Sequence, residues 1–227
     1  MRRLSRLVTG VALLAVLAGG CGSTGGAGGD DALVMQFIQW DNTGITQADS
    51  VNESSADVDV ILNLCPPDGT PEPFTQTSIN AIFQNNEGSD IQLQAYSTQI
   101  HFQTTDPQAL ADLARANIPN GALGTSLQGK TCGGTGARCF VDSDCALGVV
   151  GSCQPNQTTV SGIVLVDIFG KAVISQYPGV FYQATPVTVT FSGSDPNRSF
   201  QISVNYQITF GDFDNCTTSS GGGAGAL

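Results

Sequence analysis

From Ser199 to Phe210 apolar and polar residues alternate without a break. Phe200, Ile202, Val204, Tyr206, Ile208 and Phe210 hold the even positions, and Ser199, Gln201, Ser203, Asn205, Gln207 and Thr209 the odd ones. Successive side chains of a strand point to opposite faces, whereas a helix would spread this pattern around its whole circumference. The run therefore specifies a long strand with one face in a core and one in water. Just upstream, Val187, Val189 and Phe191 alternate with Thr188 and Thr190, and Ser192–Arg198 is a cluster of turn formers. Together these predict a β-hairpin.

The same reading predicts strands over 33–40, 58–64, 77–83 and 90–104. In the last, Ile91, Leu93 and Ala95 are apolar on odd positions, then Tyr96, Ile100 and Phe102 on even ones. A β-bulge near Ala95–Tyr96 would restore both halves to one face. The turn residues Gln84–Gly88 suggest that 77–83 and 90–104 pair as a hairpin. Val160–Phe169 is almost continuously apolar, as in a central strand or a strand end under a loop. One helix is expected: Asp106 caps it, Pro107 fits its first turn, Ala109, Leu110 and Leu113 share a face, and Asn117–Pro119 ends it. About seven strands with hairpin turns predict an all-β fold, an immunoglobulin-like β-sandwich, with a barrel as the alternative.

Charge narrows the function. Hydrophobic residues make up 41% and charged residues 12%, a balance that favours a packed core over disorder. Nineteen acids against eight bases give a formal charge of −11, which repels nucleic acid.

The N-terminus reads as an export signal. Arg2, Arg3 and Arg6 precede the apolar stretch Val8–Leu17, which is too short for a permanent membrane span. Leu17-Ala18-Gly19-Gly20-Cys21 follows and resembles the bacterial lipobox, with Ala18 where Leu is commoner. The resemblance implies that residues 1–20 are removed and Cys21 is lipidated, which anchors the protein in the cell membrane; the alternative is a plain cleaved signal or an unprocessed anchor. Residues 21–31 would then be the lipidated Cys and a Gly-rich tether. Removing three Arg and no acid takes the eight bases to five and the charge from −11 to −14. In the lipoproteins this resembles, Asp after the Cys favours inner-membrane retention. Gly22 stands there, so the outer membrane is expected, facing the periplasm or the cell surface.

Six further cysteines remain: Cys65, Cys132, Cys139, Cys145, Cys153 and Cys216. An even number in an exported chain indicates disulfides. The spacing favours two bridges within Cys132–Cys153 and one long bridge, Cys65–Cys216. Zinc is the rival reading, weakened by the lack of a Cys-x-x-Cys pair and of a nearby His. Apolar periodicity vanishes over 125–157, which is expected to be a Cys-rich insert in a sandwich spanning 32–217. Residues 218–227 are expected to be a disordered tail.

Few residues suit catalysis. His101, the sole His, lies between Ile100 and Phe102 and so on the polar face of its strand; oxidised cysteines are poor nucleophiles. The carboxylate pairs Asp57/Asp59, Asp142/Asp144 and Asp212/Asp214 each share a face if extended. Asp212 and Asp214, with Asp41 and Asn42 as partners, form the candidate Ca²⁺ site; no other cofactor is implied. Trp40, the only tryptophan, is expected in the core or at a strand end, with sugar stacking as the alternative.

Two further resemblances are carried by quoted segments. Cys139-Phe-Val-Asp-Ser-Asp-Cys145 is similar to small Cys-rich repeats in secreted proteins of myxobacteria. Ala95–Asp106, Ile118–Leu123, Pro186–Asp195 and Ser203–Asp214 resemble a group of envelope lipoproteins of delta-type proteobacteria, which implies the fold and the location but no activity. The expected function is a lipid-anchored envelope protein with a structural or binding role toward a protein or glycan, without catalysis. The alternative is a carbohydrate-binding or hydrolase accessory module that uses the acidic loop ends. A third reading, an accessory subunit of an envelope complex, would involve no haem of its own, since Cys-x-x-Cys-His is absent.

Overall fold

The computed structural model describes residues 34–65, 69–145 and 152–213. The signal, Cys21 and the tether, Asp214, Cys216 and the tail lie outside them. The fold is an all-β sandwich of immunoglobulin-like kind, with its own strand order. Its larger sheet has six strands, in the order β2 (Ser50–Asn52), β3 (Ser55–Asp59), β13 (Ser199–Gly211), β12 (Ala184–Ser194), β7 (Ile91–Ile100) and β8 (Ile118–Leu127). The smaller has three: β1 (Met35–Asp41), β6 (Thr77–Asn85) and β11 (Asn156–Val166). Two small hairpins complete it, β4 (Leu64–Cys65) with β5 (Thr70–Pro71), and β9 (Thr131–Cys132) with β10 (Cys153–Gln154).

The alternating run forms β13, and its hairpin with β12 is continuous from Ala184↔Thr209 to Ser194↔Ser199. Its even residues face the core: Phe200, Val204, Tyr206, Ile208 and Phe210 are buried. In β7 the register skips Gln94 against both neighbours, so the bulge sits just before the parity switch. Ile91, Leu93, Tyr96 and Ile100 are consequently all buried. Aromatic side chains join the two sheets. Phe83 of β6 meets Phe191 of β12 edge-on with centroids 4.8 Å apart, and Trp40 of β1 meets Tyr206 of β13 at 5.4 Å. The Tyr96 hydroxyl accepts a hydrogen bond from the Val164 N–H of β11 at 2.9 Å.

Local readings are corrected or extended at four places. β6 and β7 do not form a hairpin: β6 pairs with β1 and β11, while β7 pairs with β12 and β8. Their link is a corner between sheets. Buried Asn85 pins it by donating to the Ser89 and Leu127 carbonyls and accepting from the Glu87 N–H. The strand expected over 58–64 ends at Asp59, whose carboxylate accepts from the Ile61 N–H and turns the chain, leaving Leu62 and Leu64 exposed. β8 is a strand the sequence hid: Pro119, Gly121 and Gly124 break its alternation, and an edge strand tolerates them. Val160–Phe169 is the end of the outer strand β11, and it runs into a helix.

The expected helix is α1 (Pro107–Leu113), capped by Asp106, which accepts from the Gln108 N–H. Ala109 and Leu113 are buried, but Leu110 is exposed. A second helix, α2 (Ile168–Ile174), begins where Asp167 accepts from the Gly170 N–H. The Tyr177 hydroxyl, just beyond α2, donates to Asp112 of α1 at 2.6 Å. In the insert, Cys132–Cys145 and Cys139–Cys153 are disulfides with Cα separations of 5.5 and 5.8 Å. Cys65 is disulfide-bonded too, and its expected partner Cys216 lies outside the described residues.

Candidate functional site

The long strand β13 is only half covered. Parallel β3 accompanies it over Gln207–Gly211 and no further. There the Gln207 N–H donates to the Ser54 carbonyl, and the Gly211 carbonyl accepts from the Val60 N–H. Odd positions of β13 thus turn their backbone groups toward the β3 side. Upstream, Gln201, Ser203 and Asn205 turn theirs to an edge with no strand beside it among the described residues. Trp40 closes part of that edge: its indole N–H donates to the Asn205 carbonyl at 3.0 Å.

A cleft of about 850 Å³ opens where this edge faces the outer strand β1. Gln39, Trp40, Glu53, His101, Asn205 and Gln207 contribute to its walls. A polar chain runs across it. The Thr188 hydroxyl donates to Asn205 Oδ1 at 3.1 Å and lies 2.9 Å from His101 Nε2. A hydroxyl has one proton, so Nε2 is the donor toward Thr188. His101 is exposed beyond the end of β7, on the polar face, as its sequence neighbours require. The cleft offers hydrogen-bond partners and an aromatic wall.

The carboxylate pairs do not converge there. Asp57 accepts from the Ser50 hydroxyl, while Asp59 is buried. Asp144 accepts from the Phe140 and Val141 N–H groups and Asp142 from the Cys153 N–H, so both brace the insert. The Phe140 and Val141 N–H groups hold the Asp144 carboxyl below its ordinary range. Asp41 is bonded to the Thr43 hydroxyl, which lowers its pKa. Asp212 accepts from the Asn63 amide at 2.5 Å. Asp41 and Asp212 thus have separate partners, and Asp214 lies outside the described residues. The only cluster of three or more metal-type ligands among the described residues is Cys132, Cys139 and Cys145, whose sulfurs are in disulfides.

One constellation went unread in the sequence. Lys171 of α2, Asp59 at the end of β3 and Glu72 are all buried. Asp59 Oδ1 accepts from the Ile61 N–H at 2.9 Å and the Phe213 N–H at 3.3 Å. Glu72 Oε1 accepts from the Asn63 N–H at 2.7 Å. Lys171 Nζ lies 4.9 Å from the centre of the Phe74 ring and has no hydrogen-bond partner among the described residues. Burial pushes the Asp59 carboxyl up to about 6; the Glu72 carboxyl adds to the rise and the two N–H groups oppose it. Burial pulls the Lys171 ammonium down to about 8, against the attraction of Asp59 and then Glu72. Each of the three is an ordinary surface residue by type, and only the meeting of three distant segments makes them a site.

No family model matches the chain, and no curated protein matches it. Among the described residues, no helix is long and apolar enough to cross a membrane.

Proposed function

We propose that this chain is a lipid-anchored protein of the cell envelope. Cys21 holds it to the membrane, in the outer membrane facing the periplasm or the cell surface. It works without catalysis, by presenting the sandwich to a protein or glycan partner. The cleft between β1 and the bare half of β13 carries this reading. Backbone groups along a strand edge that no strand covers among the described residues suit an extended segment by sheet addition, and pockets beside the edge select its side chains. Among the described residues, Glu53 is the only acid on the cleft wall.

Two measurements test the reading. Cys21→Ser is expected to move the protein from the membrane fraction to the soluble fraction and to abolish labelling by a fatty-acid probe; a variant still retained by membranes would overturn the anchor. A photo-crosslinking residue in place of Gln39 on the cleft wall is expected to capture a discrete envelope species, and one in place of Asn197 in the distant β12–β13 turn is not. Equal capture from both positions would remove the cleft as the binding surface.

A further inference from the structure

Phe140 and Val141 stand side by side in the Cys-rich insert, 66% and 56% exposed. The loop that presents them is rigid. Cys139, just before Phe140, is bonded to Cys153, and Cys145 to Cys132, so residues 140–144 are held between two bridges. The Phe140 and Val141 N–H groups both donate to the Asp144 carboxylate, so these two backbone donors need no water. One side of the Phe140 ring lies on Gly88, where a Cβ would overlap it. Gly88 belongs to the corner between β6 and β7. In the same corner the Asn86 N–H donates to the Val34 carbonyl at 2.8 Å, and the Glu87 carbonyl accepts from the Lys130 N–H at 2.8 Å. Consecutive residues of one corner thus hold both the insert and the point where the N-terminal segment enters the sandwich.

We infer that Phe140 and Val141 form a second membrane contact, dipping into the lipid surface that holds Cys21. The inference rests on the lipid anchor proposed above. From Cys21 to Val34 the chain spans at most about 45 Å when fully extended, and β13 alone is about 40 Å long. The corner at Asn86 is therefore the end of the sandwich kept nearest the bilayer. It lies beside the start of β13: Arg198 reaches Glu87 at 3.3 Å. The far end is where Asp59 of β3 pairs with Gly211, just before exposed Leu62 and Leu64. Charge follows the same axis. Removing residues 1–20 leaves five bases, and three of them, Lys130, Arg138 and Arg198, are at the insert end. There Arg138 pairs with Asp90, and Arg198 with Glu87 and Asp195, while Asp142 and Asp144 are bonded to N–H groups of the insert. The bases of an otherwise acidic chain are thus concentrated where repulsion from anionic lipid has to be weakest. A loop already fixed by disulfides loses little freedom when it enters the interface. Two side chains bury too few methylenes to hold the protein by themselves, so they orient a domain that Cys21 retains. The strands then run away from the membrane, and the bare edge of β13 lies along the flank.

The test is fluorescence quenching of the full-length, lipid-bearing protein on vesicles of phosphatidylethanolamine with a minority of phosphatidylglycerol, prepared with and without brominated acyl chains. Wild type sets the baseline, since its one tryptophan, Trp40, is buried. Phe140→Trp is expected to lose most of its added emission to brominated lipid, and Leu64→Trp at the far end, equally exposed, is expected to keep it. Flotation of the same samples reports the anchor separately. Protein that floats with the vesicles while Phe140→Trp stays unquenched overturns the lipid contact and leaves the apolar pair to a protein partner. Equal quenching of Phe140→Trp and Leu64→Trp overturns the orientation. Protein that does not float overturns the anchor itself, and the contact with it. Val141→Trp repeats the measurement from the neighbouring side chain, so the outcome does not depend on Phe140→Trp folding.

Discussion

Replacing Trp40 with Phe probes the contact that closes the sandwich over its half-open strand. The indole is 6% exposed and packs against Phe37, Tyr206 and Phe191 at centroid distances of 5.2, 5.4 and 6.5 Å. Its N–H satisfies the Asn205 carbonyl. The phenyl group of the variant would keep an aromatic ring but lose that donor and the second ring. The lost hydrogen bond costs about 0.5–1.5 kcal/mol, at the lower end because the carbonyl borders the cleft and water can reach it. The lost apolar contact and the space left behind cost about 1–2 kcal/mol more. The expected destabilisation is about 2–3 kcal/mol, a fall in Tm of roughly 5–10 °C for a domain of this size. Thermal unfolding followed by far-UV circular dichroism measures it without relying on the fluorescence of the only tryptophan. Tyr206→Phe is the control. It removes only the hydroxyl bond to Asn42, 3.3 Å long, and is expected to cost under about 1 kcal/mol. If Trp40→Phe costs no more than Tyr206→Phe, Trp40 does not couple the sheets and the account of the cleft wall fails.

Gly193→Ala should destabilise by about 1–3 kcal/mol, measured by urea unfolding, because a Cβ there would lie 2.5 Å from the Gln92 carbonyl oxygen and 2.9 Å from the Phe200 ring; an unchanged midpoint would contradict the close β7–β12 approach. Replacing Cys139 and Cys153 together with Ser removes a bridge that closes a short loop worth about 3 kcal/mol on the chain-entropy account. Hydrogen exchange should rise across the insert and stay unchanged in β12 and β13, since the insert cysteines lie outside the main core cluster; faster exchange throughout the sheet would refute that independence. Lys171→Met removes the buried amine and leaves Asp59 as a buried titratable carboxyl. Burial raises its folded pKa above the ordinary 3.8, to about 6. A carboxyl raised in this way holds its proton better folded than unfolded. The stability it contributes is complete below about pH 4 and is lost as the pH climbs through the folded pKa, up to about 3 kcal/mol for a shift of this size. The Lys171→Met stability profile should therefore fall from pH 4 to pH 7. A flat profile for the variant would refute the burial-driven shift.

Much of the sheet structure is legible in the residues themselves. β13 and its hairpin with β12 follow from period-two alternation and a turn cluster, and the bulge in β7 from a change of parity. Where alternation is interrupted, the reading fails for identifiable reasons. Pro119, Gly121 and Gly124 conceal β8 because an edge strand need not satisfy both neighbours. Asp167 starts α2 inside a run too uniformly apolar to show a helical stripe. Gln84–Gly88 contains turn residues that serve a hairpin or a corner equally well.

The candidate sites divide in the same way. The neighbours of His101 place it on a polar face, and spacing groups the insert cysteines. Pairing Cys132 with Cys145 and Cys139 with Cys153 needs the folded loop, because spacing alone permits the other arrangements. The buried Asp59, Glu72 and Lys171 come from a strand end, a loop and a helix, and no sequence separation among them repeats a strand or helix period.

The sequence alone determined that alternating faces must be buried in layers, because side-chain direction along a strand follows from covalent geometry. Tertiary structure decided which edges stay bare and which charges meet away from water. Those outcomes depend on how distant strands stack, and local periodicity carries no information about the neighbour on the other side.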